Sequence, residues 1–594
     1  MGNRGYSLFS IPHSQYIFVT IIQSPTESGL TWLSFQDPIS VIETYRIDEV
    51  VRSLSLVEEL VEGRGLHAAG FISYEAAPAF DPYFQTHPAG YLPLLWFGIY
   101  PEPEVVQLPS PSPENKELKW EPSVTHTQYE KYIDKIKDYI ARGDTYQVNF
   151  TFRLNTVFSG DPFQMFLRMN RSQQAGYGAF IDTGRYQICS ASPELFFFQD
   201  GENIHCRPMK GTIARGRSST EDSAQIDRLY HSVKDRAENL MIVDMIRNDL
   251  SRIARPGSVR VKRLFEVERY PTVFQMTSSV TARTTALFPD IISALFPCAS
   301  ITGAPRIRTM EIIAGLETTA RQIYTGCIGY ISPGSKAQFN VAIRTVLIDS
   351  KTHRAEYGVG GGIVWDSKTK DEYSECRIKA KILTTKLPEF SLLETMRWTP
   401  KDGYYLREEH LDRLEKSATY FGFIMDPEMT RRALKNYSAS LLLLPHKIRL
   451  LLHRDGKITL EQTRLNNLNP SRPRRIKLSQ SPVDSRNPFL YHKTTYRRVY
   501  DQANFGISDC DDVLLWNERR EITETTIANV IIERDGELIT PAVNSGLLPG
   551  TARTDLLKQK IIREEVITLD ELNPGDSFYL INSVRGWQKA VLIN

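Results

Sequence analysis

The sequence breaks and restarts at Thr384-Thr385-Lys386-Leu387-Pro388-Glu389. Before this segment, strand and helix signals alternate from about residue 127. After it the pattern begins again with a β-rich run, Ser391 to Trp398, a hairpin turn at Asp402-Gly403 and a helix from Arg407 to about Phe421. At 594 residues the chain is too long for one hydrophobic core and divides into several domain-sized units. A second break, Leu108-Pro109-Ser110-Pro111-Ser112-Pro113-Glu114-Asn115, reads as a surface connection because Pro and Ser there interrupt both periodicities. The expected division is 1–122, 123–386 and 390–594, without internal repeats.

Both halves mix strands and helices. Tyr16–Ile22, Ala69–Tyr74 and Leu94–Tyr100 read as strands, and Ile47–Glu62 as a helix. Tyr129–Arg142 has helical periodicity with Tyr132, Ile136, Tyr139 and Ile140 on one face; Gly143-Asp144 ends it, and Tyr146–Thr151 begins a strand. The net charge of +2, from 72 basic and 70 acidic residues, gives no electrostatic case for nucleic acid or an anionic membrane. Six cysteines without a C-x-x-C pair suggest neither a zinc cage nor a disulfide framework and fit a reducing compartment. No apolar run approaches the roughly 20 residues of a membrane span, and Met1–Gln15 lacks a signal pattern. The expected location is the cytoplasm.

Candidate chemistry in the first half gathers around Arg207-Pro208-Met209-Lys210-Gly211-Thr212, a basic, turn-like stretch after the strand Leu195–Phe198. Pro208 and Gly211 bend the backbone, so the Lys210 side chain can be aimed at one point. Glu194 precedes the Phe-rich strand, and Glu238 opens an apolar helix. Glu372, Glu375 and Lys379 share one helix face, which could hold a hard cation and an anion, or could be an ordinary solvated face. Glycines at 358, 360, 361 and 362 read as a turn whose amides could face a carboxylate. Ser300–Pro305 is a second such turn, leading into the helix Ile307–Leu316. Arg344, expected on a strand, invites a carboxylate partner.

These motifs, taken in order, resemble the chorismate-utilising enzymes: Ser192-Pro193-Glu194, Pro208-Met209-Lys210-Gly211-Thr212, Glu238-Asn239-Leu240 through Arg247-Asn248-Asp249-Leu250, Thr302-Gly303-Ala304-Pro305, Ile343-Arg344-Thr345, Gly360-Gly361-Gly362 and Glu372-x-x-Glu375-x-x-x-Lys379. The resemblance implies a large β-sandwich-like core flanked by helices. It implies that Glu238 and Glu375 ligate Mg²⁺, with Glu372 in the same acidic cluster and Thr302 among the substrate contacts. Arg344 and the amides of Gly360, Gly361 and Gly362 would hold the enolpyruvyl carboxylate of chorismate, Lys379 the second anion, and Glu194 would be an acid/base group. Anthranilate synthases carry alanine where Lys210 stands and aminodeoxychorismate synthases carry lysine, so Lys210 would be a covalent nucleophile. Many members have a histidine where this chain has Gln275, so no histidine role is carried over. No amidotransferase-type cysteine elbow with a partner histidine is found, which implies ammonia from solution or from a separate glutamine amidotransferase subunit.

Residues 390–594 resemble the fold-type IV pyridoxal-phosphate enzymes, a two-subdomain fold, through His410-Leu411-Asp412-Arg413-Leu414, Tyr491-His492-Lys493-Thr494, Glu521 through Asn529 and Gly546 through Arg553. By that resemblance Lys493 would carry the cofactor and move protons. Glu524 would pair with the pyridinium nitrogen, and Arg413, Thr526, Ile527, Thr551 and Ala552 would hold the phosphate. Asn582, Arg585 and Trp587 are candidate substrate contacts, and a homodimer through this domain is expected. Members usually begin with an extra strand and a glycine-rich segment; here Pro388–Thr395 follows the first half at once.

Together the halves imply conversion of chorismate and ammonia to 4-amino-4-deoxychorismate, then loss of pyruvate to give 4-aminobenzoate for folate synthesis. The alternatives are an anthranilate synthase-like half joined to an aminotransferase, and a C-terminal half that is a non-catalytic scaffold.

Overall fold

The computed structural model describes residues 19–26, 29–112, 118–384, 388–465, 472–506 and 508–594. The expectations placed on Met1–Gln15, on the start of Tyr16–Ile22, on Pro113-Glu114-Asn115 and on Thr385-Lys386-Leu387 lie outside these residues. The chain packs as two compact units: Met1–Ala214 with Ile226–Leu387, and Arg215–Gln225 with Pro388–Asn594. Among the described residues no helix is long and apolar enough to cross a membrane.

The first unit holds two ten-stranded sheets. Their apolar faces meet: Phe35, Ile181 and Ile188 of one pack with Phe71, Trp96 and Ile328 of the other. Helices Ile47–Arg64, Val233–Ser251 and Phe288–Leu295 cover the outside of one sheet. Helices His126–Ala141, Pro162–Gln173 and Arg306–Leu316 cover the other. The unit is therefore a sandwich flanked by helices. The helix His126–Ala141 starts where Thr125 and Gln128 form a reciprocal capping box, and it buries Tyr129, Ile133 and Ile136. The expected Tyr132, Tyr139 and Ile140 lie half-buried at the margin of that face.

A pair of strands crosses from sheet to sheet together. Tyr186–Ser192 pairs with Thr345–Asp349 in the first sheet. Their continuations, Leu195–Asp200 and Lys336–Val341, pair in the second. Three bonds tie the crossing: Ser192 Oγ donates to Val341 O (2.6 Å), and the amides of Val341 and Ala191 donate to Glu194 O and Arg344 O (both 3.1 Å). Glu194 and Arg344 sit in these two crossing points. Arg344 is thus not on a strand, as expected from sequence; it has left-handed backbone (φ 53°) between two strands.

The second unit contains a four-stranded and an eight-stranded sheet. Leu411, Leu414, Ala418 and Leu434, from the helices Arg407–Phe421 and Pro427–Ser438, cover the small sheet. The larger sheet is built around Ile476, Leu514, Val530, Ile539, Phe578 and Leu580. The restart strand, Leu392–Thr399, pairs with His446–Leu452 on one side and with the two-residue strand Gly403–Tyr404 on the other. Arg215–Gln225, from the middle of the first half of the sequence, completes this unit.

Arg321 is 1% exposed. It donates to Asn149 O (2.7 Å), Ile301 O (2.9 Å) and both oxygens of Glu317 (2.6 and 3.0 Å). Glu317 in turn accepts from the Thr151 amide (2.9 Å). One guanidinium thereby joins three segments distant in sequence. Removing one partner of such a pair strands the other, at a cost of about 3–5 kcal/mol. Arg321→Ala is expected to destabilise the first unit by that amount, read as a lowered urea midpoint of its unfolding transition.

Candidate active sites

The first unit encloses a cavity of about 590 Å³ whose lining includes Lys210, Glu194, Glu238, Arg344, Glu372, Glu375, Lys379 and Gly360–Gly362. Lys210 reaches it from a strand, not from the expected tight turn. Met209 stands opposite Thr277 and Thr212 opposite Gln275 on the strand Val273–Arg283, so one extra residue is accommodated at Lys210-Gly211. This bulge, with Gly211 at φ 92°, re-aims the lysine. Burial lowers the Lys210 pKa, opposed by the nearby Glu238 carboxylate and reinforced by the Lys379 charge.

The glycines also lie within a strand, Arg354–Ile363, and not in a turn. At Gly362 the reason for glycine is direct. A methyl group there would sit 2.5 Å from Gln147 Nε2 and 2.8 Å from Lys210 Nζ. At Gly361 an added methyl would meet only Glu372 Oε2 at 3.4 Å and Lys379 Nζ at 3.7 Å, so this backbone faces the charged side of the cavity.

Glu238 stands in the second turn of the helix Val233–Ser251, capped by Ser232, and does not open it as expected from sequence. Burial raises its pKa, and that of Glu372. Glu375 is held low by Lys379, 2.8 Å away. Burial opposes the Lys379 charge, but Glu375 outweighs it and the lysine pKa rises. Lys379 also donates to Gly360 O (2.7 Å), and Arg344 Nη1 donates to Lys379 O. Glu194 is 3% exposed and its Oε1 has no hydrogen-bond partner; burial pushes its pKa up to about 7. A carboxyl titrating there is suited to hold or release a proton near neutral pH. Thr302 does not reach the cavity: it is fully buried, and its hydroxyl donates to Cys298 O and Ala299 O (both 3.3 Å).

The second unit has a cavity of about 440 Å³ lined in part by Lys493, Glu524, Arg413, Thr526, Ile527, Thr551, Asn582 and Arg585. Burial, followed by the Arg413 charge, takes the Lys493 pKa down to about 8. Glu524 is pushed up to about 7 by burial. It accepts from Tyr500 Oη (2.9 Å), the Leu548 amide (3.0 Å) and Asn529 Nδ2 (3.1 Å). Arg413 is held by Glu394 through two bonds of 2.9 and 2.6 Å and by Pro549 O at 3.2 Å. Thr551 begins the helix Thr551–Lys558, which has no side-chain cap. Its hydroxyl lies 3.2 Å from His410 Nε2. Thr526 lines the cavity, but its hydroxyl donates to Asp512 (2.6 Å). Ala552 and Trp587 are outside the lining.

Residues 20–385 match the chorismate binding enzyme family, and residues 391–593 match amino-transferase class IV. The first match covers more than half of the 594 residues. The chain belongs to the chorismate binding enzyme family. Aminodeoxychorismate synthase component 1 of Escherichia coli (strain K12) is 42% identical over 258 residues, 43% of this chain and 56% of its own length. The protein of that name from Bacillus subtilis (strain 168) is 40% identical over 258 residues, 43% of this chain and 54% of its own. The chain thus spans little more than half the length of these relatives. The crystal structure of anthranilate synthase component I from Streptococcus pneumoniae TIGR4 superposes with a TM-score of 0.52 at 25% identity, over 65% of this chain and 95% of that one.

In and beside the cavity of the first unit stand further polar residues to which the motifs assign no role. Gln147 is fully buried beside Lys210 and neither its Oε1 nor its Nε2 has a partner. Asn149, Ser300, Tyr324 and Gln275 add polar groups to the lining. The sequence does carry a signal for two of them. Gln147, Asn149, Thr151 and Arg153 alternate with Val148, Phe150 and Phe152, and all seven are buried. A buried strand with one polar face has ligands or buried bonds to satisfy.

In the second unit the overlooked residue is Glu394. It is 1% exposed and bonds both Arg413 and His410 Nδ1 (2.6 Å). Burial opposes its charge, but Arg413 and His410 win and hold it at about 2 against the ordinary 4.5. Its contribution to stability is therefore complete above about pH 4.5, falls away as pH drops toward 2, and is on the order of 3 kcal/mol. Glu394→Gln is expected to lower stability at pH 7 and to flatten the acid limb in that window, measured by urea unfolding of the whole chain across pH.

Proposed function

We propose that this chain makes 4-aminobenzoate from chorismate in two steps, one in each unit. The observation that carries this reading is Lys210: a half-buried amine with a lowered pKa, aimed by a bulge into a cavity that also presents Glu194, Glu238, Glu372, Glu375, Lys379 and Arg344. Neutral Lys210 attacks C2 of the ring, the ring double bonds shift, and the C4 hydroxyl leaves as water with a proton from Glu194. Ammonia then adds at C4 and the electrons return to expel Lys210 as the amine. The balance is chorismate plus ammonia to aminodeoxychorismate plus water. Arg344, with those amides of Gly360–Gly362 that the ladder to Gln147–Val157 leaves free, would hold the enolpyruvyl carboxylate, and Lys379 a second anion.

Among the described residues no three His, Cys, Asp or Glu side chains form a ready metal cage. The convergent carboxylates still suit Mg²⁺, which takes few protein ligands and completes its shell with substrate and water. Glu238 and Glu375 would hold it, and it would neutralise the ring carboxylate. Ammonia would come from a separate glutamine amidotransferase subunit or from solution, in the cytoplasm.

The second cavity fits pyridoxal phosphate by its donor set: a half-buried amine of lowered pKa, a buried carboxyl fixed by three donors, and an arginine beside an uncapped helix start. Lys493 would hold the cofactor, Glu524 its ring nitrogen, and Arg413 with Thr551 its phosphate. When bound, the cofactor supplies an electron sink. Lys493 would take the C4 proton of aminodeoxychorismate, whose enolpyruvyl group would depart as pyruvate and leave the aromatic ring. The Lys447 side chain, Arg585 and Asn582, also in the lining, are suited to substrate carboxylates.

With chorismate, ammonium, Mg²⁺ and pyridoxal phosphate, Lys210→Ala is expected to slow aminodeoxychorismate formation on the order of a thousandfold or more. Lys493→Ala should let aminodeoxychorismate accumulate without pyruvate release and should abolish the visible cofactor band. Both are read by chromatography with mass detection and by absorbance. Unchanged first-step rates in Lys210→Ala would remove the lysine from the mechanism. A wild-type protein that never gains a visible band would favour the scaffold reading of the second unit.

A further inference from the structure

The segment Arg215–Gln225 follows directly on the strand Met209–Ala214, yet it packs as part of the second unit. Its two arginines act on the two residues that precede Lys493. Arg217 Nη1 donates to Tyr491 Oη (2.8 Å) and its guanidinium lies 5.0 Å over the Tyr491 ring. Tyr491 Oη in turn donates to Ser485 O (2.8 Å). Glu221 fixes the arginine from its other side, accepting from the Arg217 amide (2.7 Å) and from Nε (3.0 Å).

Arg215 works through Tyr420. Its guanidinium lies 4.3 Å over the Tyr420 ring, donates to Tyr420 O (2.8 Å) and is clamped by Asp222. Tyr420 Oη donates back to Gly216 O (2.7 Å). The Tyr420 ring also meets the His492 imidazole, with centroids 4.3 Å apart and planes 31° apart. His492 Nδ1 is further tied to Ser417 Oγ (2.9 Å). The Arg215–Asp222 pair is almost wholly buried, 6% and 5% exposed. A buried pair of this kind adds little net stability, but its directional bonds allow only one arrangement of what they touch.

We propose that Arg215 and Arg217 are positioning residues for Lys493, supplied to the second unit by the first half of the sequence. They brace Tyr491 and His492 from behind, so that the lysine backbone, whose carbonyl accepts from the Leu393 amide (3.0 Å), cannot turn away from the cavity. The inference rests on the reading of Lys493 as the cofactor-bearing amine. It also implies that a fragment beginning at Pro388 lacks a part of its own active-site support.

The test uses the whole chain loaded with pyridoxal phosphate and the variants Tyr491→Phe and Tyr420→Phe, which remove single hydroxyls and keep the rings. Arg217→Ala, more disruptive, is the third variant. Four quantities are read: visible circular dichroism of the bound cofactor, kcat and KM for pyruvate release from aminodeoxychorismate, and the rate of aminodeoxychorismate formation as the internal control. The expected result is an altered visible dichroism and a kcat for pyruvate release lower by about tenfold or more, with KM within about twofold and the first step unchanged. Wild-type dichroism and kcat in both Phe variants would overturn the proposal, because the segment would then be packing only. A wild-type chain with no visible band at all would instead bring down the reading of Lys493, and the proposal with it.

Discussion

The first cavity holds two half-buried lysines side by side with carboxylates, and everything around it answers that constraint. An ammonium ion in such a place is costly unless carboxylates surround it. Lys379 has Glu375 at 2.8 Å and keeps its charge. Lys210 has no such contact ion pair among the described residues, and its pKa falls. One amine is thereby held as a cation, and the pKa of the other lies below the ordinary lysine value. A chain selected only for stability would gain by replacing this cluster with apolar side chains.

The sandwich makes the cluster possible by crossing strands between its sheets. At a crossing the strand leaves its sheet and its neighbours open, so Glu194 and Arg344 enter from two points that share the same three hydrogen bonds. The bulge at Lys210-Gly211 opens a third entry, and the bare backbone at Gly361 and Gly362 leaves the space these side chains fill. Arg321 holds the strand with Asn149 and the turn with Ile301 against one another. The second unit uses the same economy with different parts: burial lowers one amine, Lys493, and raises one carboxyl, Glu524, within one lining.

Much of this was legible in the sequence, because ordered motifs survive in local patterns. The boundaries of the helix Arg407–Phe421, the shared face of Glu372, Glu375 and Lys379, and the lining roles of Arg344, Lys493 and Glu524 needed only spacing and resemblance. What failed did so for a physical reason. Pro208 and Gly211 signal a bend equally well for a turn and for a bulge; the deciding partner strand begins at Val273, about sixty residues on. Four glycines suggest a turn until the strand Gln147–Val157 is seen to pair with them in register. Glu238 reads as a helix start from the apolar run that follows it, although Ser232 carries the capping signal. The attachment of Arg215–Gln225 to the second unit had no local signature, since it depends on tyrosines about two hundred residues away.

The central claim is that Lys210 directs ammonia to C4 and that the second unit then releases pyruvate from the same molecule. Its most direct test is the identity of the final product from the whole wild-type chain given chorismate, pyridoxal phosphate, Mg²⁺ and nitrogen-15 ammonium. The account predicts labelled 4-aminobenzoate and an equimolar amount of pyruvate. Labelled anthranilate in its place would contradict it.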